Sequence, residues 1–177
     1  EGLTNRHLFY EVSFDGGRTC AVSEQVVLEG PYDAMHPLRG VRIGWNSANI
    51  GDRTCRPIVL SDGTLLVPFQ IFPHGPDRKL HNPGGGHTFG HSAVLMGRWD
   101  DTRIRWRMSE TVKIDPVRST RGVIEPTIST LPRGRLLMVM RGSNDVAPAL
   151  PGYRWYSMSG DDGETWTYPV PWTYSGG

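Results

Sequence analysis

Short apolar runs separated by Gly- and Asp-rich turns recur along this 177-residue chain. Residues 60–67 (LSDGTLLV) and 131–138 (LPRGRLLM) each predict a strand, a tight turn at a glycine and a second strand. Residues 103–108 (RIRWRM) alternate basic and apolar side chains, which predicts a strand with one buried face. Strands that alternate with short turns and no helices predict an all-β fold, either a propeller or a sandwich.

A second kind of hairpin has an Asp-rich turn and alternates along the chain with the Gly-turn hairpins. One hairpin of each kind makes one predicted four-stranded antiparallel sheet. The chain is therefore predicted to hold half of one sheet and two complete sheets, at about residues 5–29, 56–114 and 125–172. The longer connections alternate with the short turns, so they are predicted to share one rim, which favours the propeller. They span residues 29–55, 73–91, 115–124 and 142–152.

The Asp-rich turns carry a defined motif. Residues 159–166 (SGDDGETW) match the Asp-box pattern Ser-x-Asp-x-Gly-x-Thr-Trp at every fixed position, and residues 13–20 (SFDGGRTC) match it except at Cys20. The Asp carboxylate can accept backbone N–H groups of the turn, so the box is interpreted as a folding element. These motifs resemble those of the sialidase (BNR-repeat) family, which implies a six-bladed β-propeller. At roughly 40–50 residues per blade, about half of the ring is present, and further sequence or another chain is expected to supply the rest.

The resemblance also implies a site. Residues 122–142 (GVIEPTISTLPRGRLLMVMRG) are similar to the sialidase segment that has a catalytic Glu at the start of an inner strand. In that family an Arg at the end of the next strand binds the substrate carboxylate, and Glu125 and Arg141 occupy these two places. An Arg can hold a carboxylate with two parallel hydrogen bonds. The family's tyrosine nucleophile needs a base, which is the role implied for Glu125. The matching region contains neither that Tyr, nor the acid/base Asp, nor the other arginines.

The implied function is hydrolysis of terminal sialic acid, or a related acidic sugar, from a glycan, and this chain alone is expected to be inactive. One alternative is a propeller of the same family that acts on another sugar or only binds glycans. Another is a purely structural or protein-binding propeller. For the two residues themselves, Glu125 and Arg141, the alternative to a role in the site is a buried structural ion pair between adjacent strands. Tyr153, Tyr156 and Tyr168 are interpreted as packing residues, and Arg56 matches the family's Arg-Ile-Pro motif only in part.

Composition narrows the possible partners. The net charge of +1 does not point to nucleic acid, and no apolar run is long enough for a transmembrane helix. No Met or signal segment opens the chain, so upstream residues are expected. Cys20 and Cys55 are either paired or are two small buried residues. A secreted or periplasmic location is favoured over a cytoplasmic one.

Several histidines lie in or beside the Gly-rich part of the 73–91 connection. Three histidines can form a zinc site, but no helix fixes their spacing here. Sialidases do not use zinc for their chemistry, so neither a metal nor a cofactor is expected. The segment is predicted to be a solvated loop, with contact to a sugar as the alternative. The histidines are His74, His81, His87 and His91.

Overall fold

A computed structural model describes residues 2–51 and 55–173, and its regular structure is almost entirely β-strand. A single 3-10 turn at Pro132–Gly134 is the helical part of the described chain. The strands form three antiparallel sheets, so the all-β prediction is confirmed. No described residue belongs to a helix long and apolar enough to cross a membrane. The strands are β1 (Phe9–Val12), β2 (Val22–Gln25), β3 (Ala48–Asn49), β4 (Ile58–Val59), β5 (Leu65–Ile71), β6 (His91–Trp99), β7 (Ile104–Met108), β8 (Ile124–Thr130), β9 (Leu136–Arg141), β10 (Arg154–Ser159) and β11 (Val170–Pro171).

The central sheet has the order β3-β5-β6-β7, with β4 also paired to β5. Strand β5 is almost continuously apolar, and both β5 and β6 are buried on both faces for most of their length. The sheet contains one strand more than the sequence predicts. Ala48 and Asn49 form β3 within the predicted 29–55 connection, because they pair with the end of β5 at Ile71 and Gln70.

The C-terminal sheet has the order β11-β10-β9-β8, which is the predicted meander. Its side chains alternate between a buried and a half-exposed face, as expected for a strand with period two. Met138 and Trp155 belong to the buried face, which packs against the central sheet. Val139 and Tyr156 belong to the opposite face, which is only partly buried.

The β1–β2 hairpin forms a separate two-stranded sheet. Tyr10 of β1 packs edge-on against Trp106 of β7, with ring centroids 5.6 Å apart. Its hydroxyl accepts the backbone N–H of Ile104 at 3.1 Å. One apolar cluster thus lies on each side of the central sheet, one towards the N-terminal half and one towards the C-terminal sheet. The central sheet is therefore sandwiched between its neighbours.

Hydrogen bonds within the Asp boxes close the turns. In the C-terminal box, Asp161 accepts the backbone N–H of Thr165 at 3.0 Å and its hydroxyl at 2.6 Å. Trp166 donates its indole N–H to the Gly163 carbonyl oxygen and packs against the apolar cluster beneath it. In the N-terminal box Cys20 replaces this Trp and is exposed. The motif is therefore a folding element whose Trp also joins the core.

The two cysteines are not joined. Cys20 is exposed and Cys55 is buried, and no disulfide links them. The pairing hypothesis is wrong, and burial holds only for Cys55. Cys20 lies in the turn just before β2, where its Sγ donates to the Val22 carbonyl oxygen, so it has no core to enter.

Candidate functional site

Glu125 lies at an irregularity near the start of β8. The register between β8 and β9 shifts between Ile124 and Thr127, and Glu125 has a φ of 51°. Left-handed backbone costs a residue with a Cβ roughly 1–2 kcal/mol. The backbone N–H of Glu125 donates to Oε1 of Gln70 at 2.7 Å, and Gln70 is buried on β5 of the central sheet. A side chain of the neighbouring sheet therefore holds the Glu125 backbone in this conformation.

Arg141 ends β9 and contacts Glu125 on the adjacent strand. Its Nη1 donates to Oε1 at 2.9 Å and to Oε2 at 3.2 Å. The exposed fraction is 51% for the Arg141 side chain and 25% for the Glu125 side chain. The pair joins two neighbouring strands but is open to solvent, so it is not a buried ion pair. Exposed ion pairs contribute about 0–1 kcal/mol, which leaves these groups available for other contacts.

A cavity of about 390 Å³ adjoins this ion pair. Glu125, Arg141, Tyr153 and Arg154 contribute to its wall. Arg154 opens β10 directly opposite Arg141 in the register, so both guanidinium groups project from the same sheet face. Within the described residues, the Arg154 side chain forms no ion pair. The wall thus carries two cations and one carboxylate, a charge balance that suits an acidic ligand.

The shape of the site also depends on two residues that were not predicted from the sequence. Gln70 is the polar residue of the otherwise apolar strand LLVPFQI, and a polar side chain inside a buried strand was an available signal. Nothing in the sequence around Gly51 indicated that this glycine belongs to the site. A Cβ on Gly51 would lie 2.9 Å from Gln70 Oε1 and 3.3 Å from Glu125 Cγ. Its lack of a side chain leaves room for both groups. Arg56 is exposed and does not line this cavity.

The histidines of the 73–91 connection are spread over separate contacts. His81 and His91 both pack edge-on against the Phe89 ring, and His74 packs edge-on against Trp45. In the part of the chain that the structure describes, no three His, Cys, Asp or Glu side chains are grouped to hold a metal ion.

The three tyrosines differ in environment. Tyr153 packs edge-on against Trp155, and Tyr156 is half-buried on β10. Tyr168 is 56% exposed and lies outside the strands, with the Arg118 guanidinium 5.6 Å from its ring centroid. The packing interpretation is therefore wrong for Tyr168, because regular pairing resumes only at β11.

No curated protein sequence is significantly similar to the chain. Among solved structures, the chain resembles a protein of unknown function from Dyadobacter fermentans DSM 18053, with a TM-score of 0.53 and 15% sequence identity. The similarity covers 95% of this chain but 42% of that one, so the chain spans less than half of its neighbour's length. The family model for the BNR repeat-like domain matches residues 7–175. The chain therefore belongs to the BNR repeat-like domain family.

Proposed function

We propose that this chain carries part of the active site of a sialidase-like glycoside hydrolase. The substrate is a glycan that ends in sialic acid or a related acidic sugar, and the products are the free acidic sugar and the shortened glycan. The BNR repeat-like family includes glycoside hydrolases, which supports this class of activity. The accessible ion pair of Glu125 and Arg141 supplies the residues.

The proposal includes a six-bladed propeller, of which this chain forms about half. The blades are the half blade at about residues 5–29 and the two blades at about 56–114 and 125–172. The face-to-face stacking of the three sheets supports consecutive blades. The half-exposed outer face of β9 and β10 fits a position next to a further blade.

The unused donors of Arg141 carry the functional proposal. Arg141 contacts Glu125 through Nη1 alone, and no described residue accepts a hydrogen bond from its Nε or Nη2. An Arg side chain has five N–H donors in a fixed fork. Glu125 can therefore orient the guanidinium while its other edge binds a substrate carboxylate with two parallel hydrogen bonds. Arg154, on the same face, adds positive charge beside that carboxylate.

Glu125 is assigned as the base in this proposal. A sugar whose reacting carbon bears a carboxylate repels a carboxylate nucleophile, and a neutral tyrosine avoids that repulsion. Tyrosine has a reference pKa of about 10 and needs a nearby base to attack. Glu125 is accessible and held in one backbone conformation by Gln70, so it can accept that proton. The tyrosine itself is expected elsewhere in the ring.

The test measures turnover of a fluorogenic sialoside by the full-length protein. Glu125→Gln is expected to lower kcat by about 10²–10⁴-fold, the range for loss of a general base. Arg141→Ala is expected to lower kcat/KM strongly, because it removes the carboxylate contact. Arg135→Ala is the matched control, since Arg135 is an exposed arginine just before β9, at the opposite end of that strand. If Glu125→Gln and Arg141→Ala both turn over the sialoside as fast as the wild-type protein, the assignment is wrong.

A glycan-binding protein without catalysis is the second candidate. The ion pair between Glu125 and Arg141 favours this candidate, because it can bind a glycan without any nucleophile. Wild-type protein would then bind sialosides without releasing the sugar. Arg141→Ala would weaken that binding, whereas Glu125→Gln would leave it largely intact.

A further inference from the structure

A second pocket, of about 270 Å³, lies on the other face of the central sheet. Ile71 at the end of β5 lines this pocket, whereas the side chain of the preceding residue, Gln70, contacts Glu125. Successive side chains of a strand point to opposite faces, so the two pockets flank the same strand end. Arg39 from the 29–55 connection and Lys113 beyond β7 form part of the wall. All of these residues lie in the part of the chain that the structure describes.

The charged side chains that line this pocket, Arg39 and Lys113, are both cationic. Arg39 and Lys113 form no ion pair with a described residue, and no carboxylate lines the pocket. Arg39 donates through Nη2 to the Ser109 carbonyl oxygen, which orients its guanidinium and leaves other donors unused. Lys113 is one of only two lysines in the chain, and its side chain is exposed.

Two histidines and a threonine add further hydrogen-bonding groups. His74 and His91 line the pocket with Thr111. The Nδ1 atom of His91 is buried and has no hydrogen-bond partner among the described residues. Burial, followed by the charges of Lys113 and His81, lowers the pKa of His91 to about 4. The ring is therefore uncharged at neutral pH, and a nearby anion would stabilise its charged form.

We propose that this pocket binds an oxyanion group, such as a carboxylate, a sulfate or a phosphate. Arg39 and Lys113 supply the charge, and His74, His91 and Thr111 supply hydrogen bonds to the oxygens. The two cationic side chains on the wall favour an anion over a metal ion. The site is independent of the proposed hydrolase activity.

The test is an NMR titration of the full-length protein with sodium sulfate, sodium phosphate and sodium glucuronate at constant ionic strength. Saturable shifts are expected at the signals of Thr111 and His91. Lys113→Gln and Arg39→Gln are each expected to weaken binding about five- to tenfold, which corresponds to the loss of one charge-assisted contact. Lys79→Gln, the matched control, removes the same charge from the exposed 73–91 loop and is expected to leave the affinity within about twofold.

The titration also identifies the source of the oxyanion. Tighter binding of glucuronate supports a sugar carboxylate, and tighter binding of sulfate or phosphate supports an inorganic or ester oxyanion. Bound anion is further expected to raise the pKa of His91 above its low value in the free protein. Arg141→Ala should not change this binding, so failure of the hydrolase proposal would leave it intact. The absence of saturable shifts with all three anions, or equal weakening by Lys79→Gln, would overturn the proposal.

Discussion

Gln70 and Glu125 belong to different sheets, yet the Gln70 side chain accepts the Glu125 backbone N–H at 2.7 Å. The bond takes the place of a ladder hydrogen bond that β8 cannot make at its irregular first residues. Because Gln70 is buried and β5 is packed on both faces, its position is fixed by the central core. The buried side-chain amide of Gln70 therefore fixes the position of the accessible Glu125 carboxylate.

Replacing Gln70 with Met should test this dependence. Met keeps a similar volume but removes the amide oxygen, which leaves the Glu125 N–H without its acceptor. A fully buried N–H without a partner costs about 1–3 kcal/mol, and because this bond is only partly buried we expect a loss at the lower end of that range in the free energy of unfolding by urea. Turnover or glycan binding should fall as well. Unchanged stability together with unchanged function would show that the bond does not position Glu125.

The positive φ of Glu125 gives a second prediction. Glu125→Gly should be more stable than Glu125→Ala by about 1 kcal/mol, because glycine adopts the left-handed region without the Cβ penalty. Neither variant retains the carboxylate, so neither should show the activity attributed to it. Paired thermal melts measure the difference, and an Ala variant that is the more stable of the two would contradict it.

The C-terminal Asp box should lose stability in acid. Hydrogen bonds from Thr165 hold the pKa of Asp161 below its usual range, and the equivalent bonds from Thr19 lower the pKa of Asp15 to about 2. The folded pKa lies below the unfolded value of about 4, so this contribution is complete above that pH and disappears as the pH falls through the folded pKa. Asp161→Asn should therefore lower the melting temperature at pH 7, and the deficit should shrink as the pH falls from about 4 towards 2.

Asp162→Asn is the control for that prediction. Asp162 is adjacent and has a φ of 56°, a conformation that Asn tolerates well. Its side chain makes no hydrogen bond with a described residue. The variant should melt within about 1–2 °C of wild type at pH 7, as is usual for exposed changes. An equal loss in both variants would mean that general charge, and not the box geometry, stabilises the turn.

The Gly-rich part of the 73–91 connection should be sensitive to a single methyl group. A Cβ on Gly84 would lie 2.0 Å from the Thr120 carbonyl oxygen, and the nearby Gly86 is packed against Asp145. Gly84→Ala should therefore destabilise the protein by about 1–3 kcal/mol in urea unfolding. Gly160→Ala should be close to neutral, because a Cβ there meets no heavy atom within 4 Å. Tolerance of Ala at position 84 would show that this loop is not packed as described.

The same contacts explain why the loop was only partly predictable. Its glycines suggested a solvated segment, and Gly84 instead fits against the backbone at Thr120. The strand β3 was missed for a related reason, since two residues carry no periodic pattern and only pairing with β5 defines them. The turns of the Asp boxes were predicted well, because the turn motif and its hydrogen bonds are encoded within about ten residues. The strand expected directly after the C-terminal box begins only at β11.

The sequence by itself determined the all-β class, the meander of the C-terminal sheet and the turns of the Asp boxes, because these follow from alternation and local hydrogen bonding. It also determined which residues end β9 and open β8, and so which charges are close neighbours. The tertiary structure alone decided that Gln70 holds Glu125, that Arg154 shares a face with Arg141, and that Arg39 and Lys113 flank His91. Arg154 and Arg141 share a face through the register of two adjacent strands. The other two relationships join residues more than twenty positions apart, and only the tertiary packing of strands and loops brings them together.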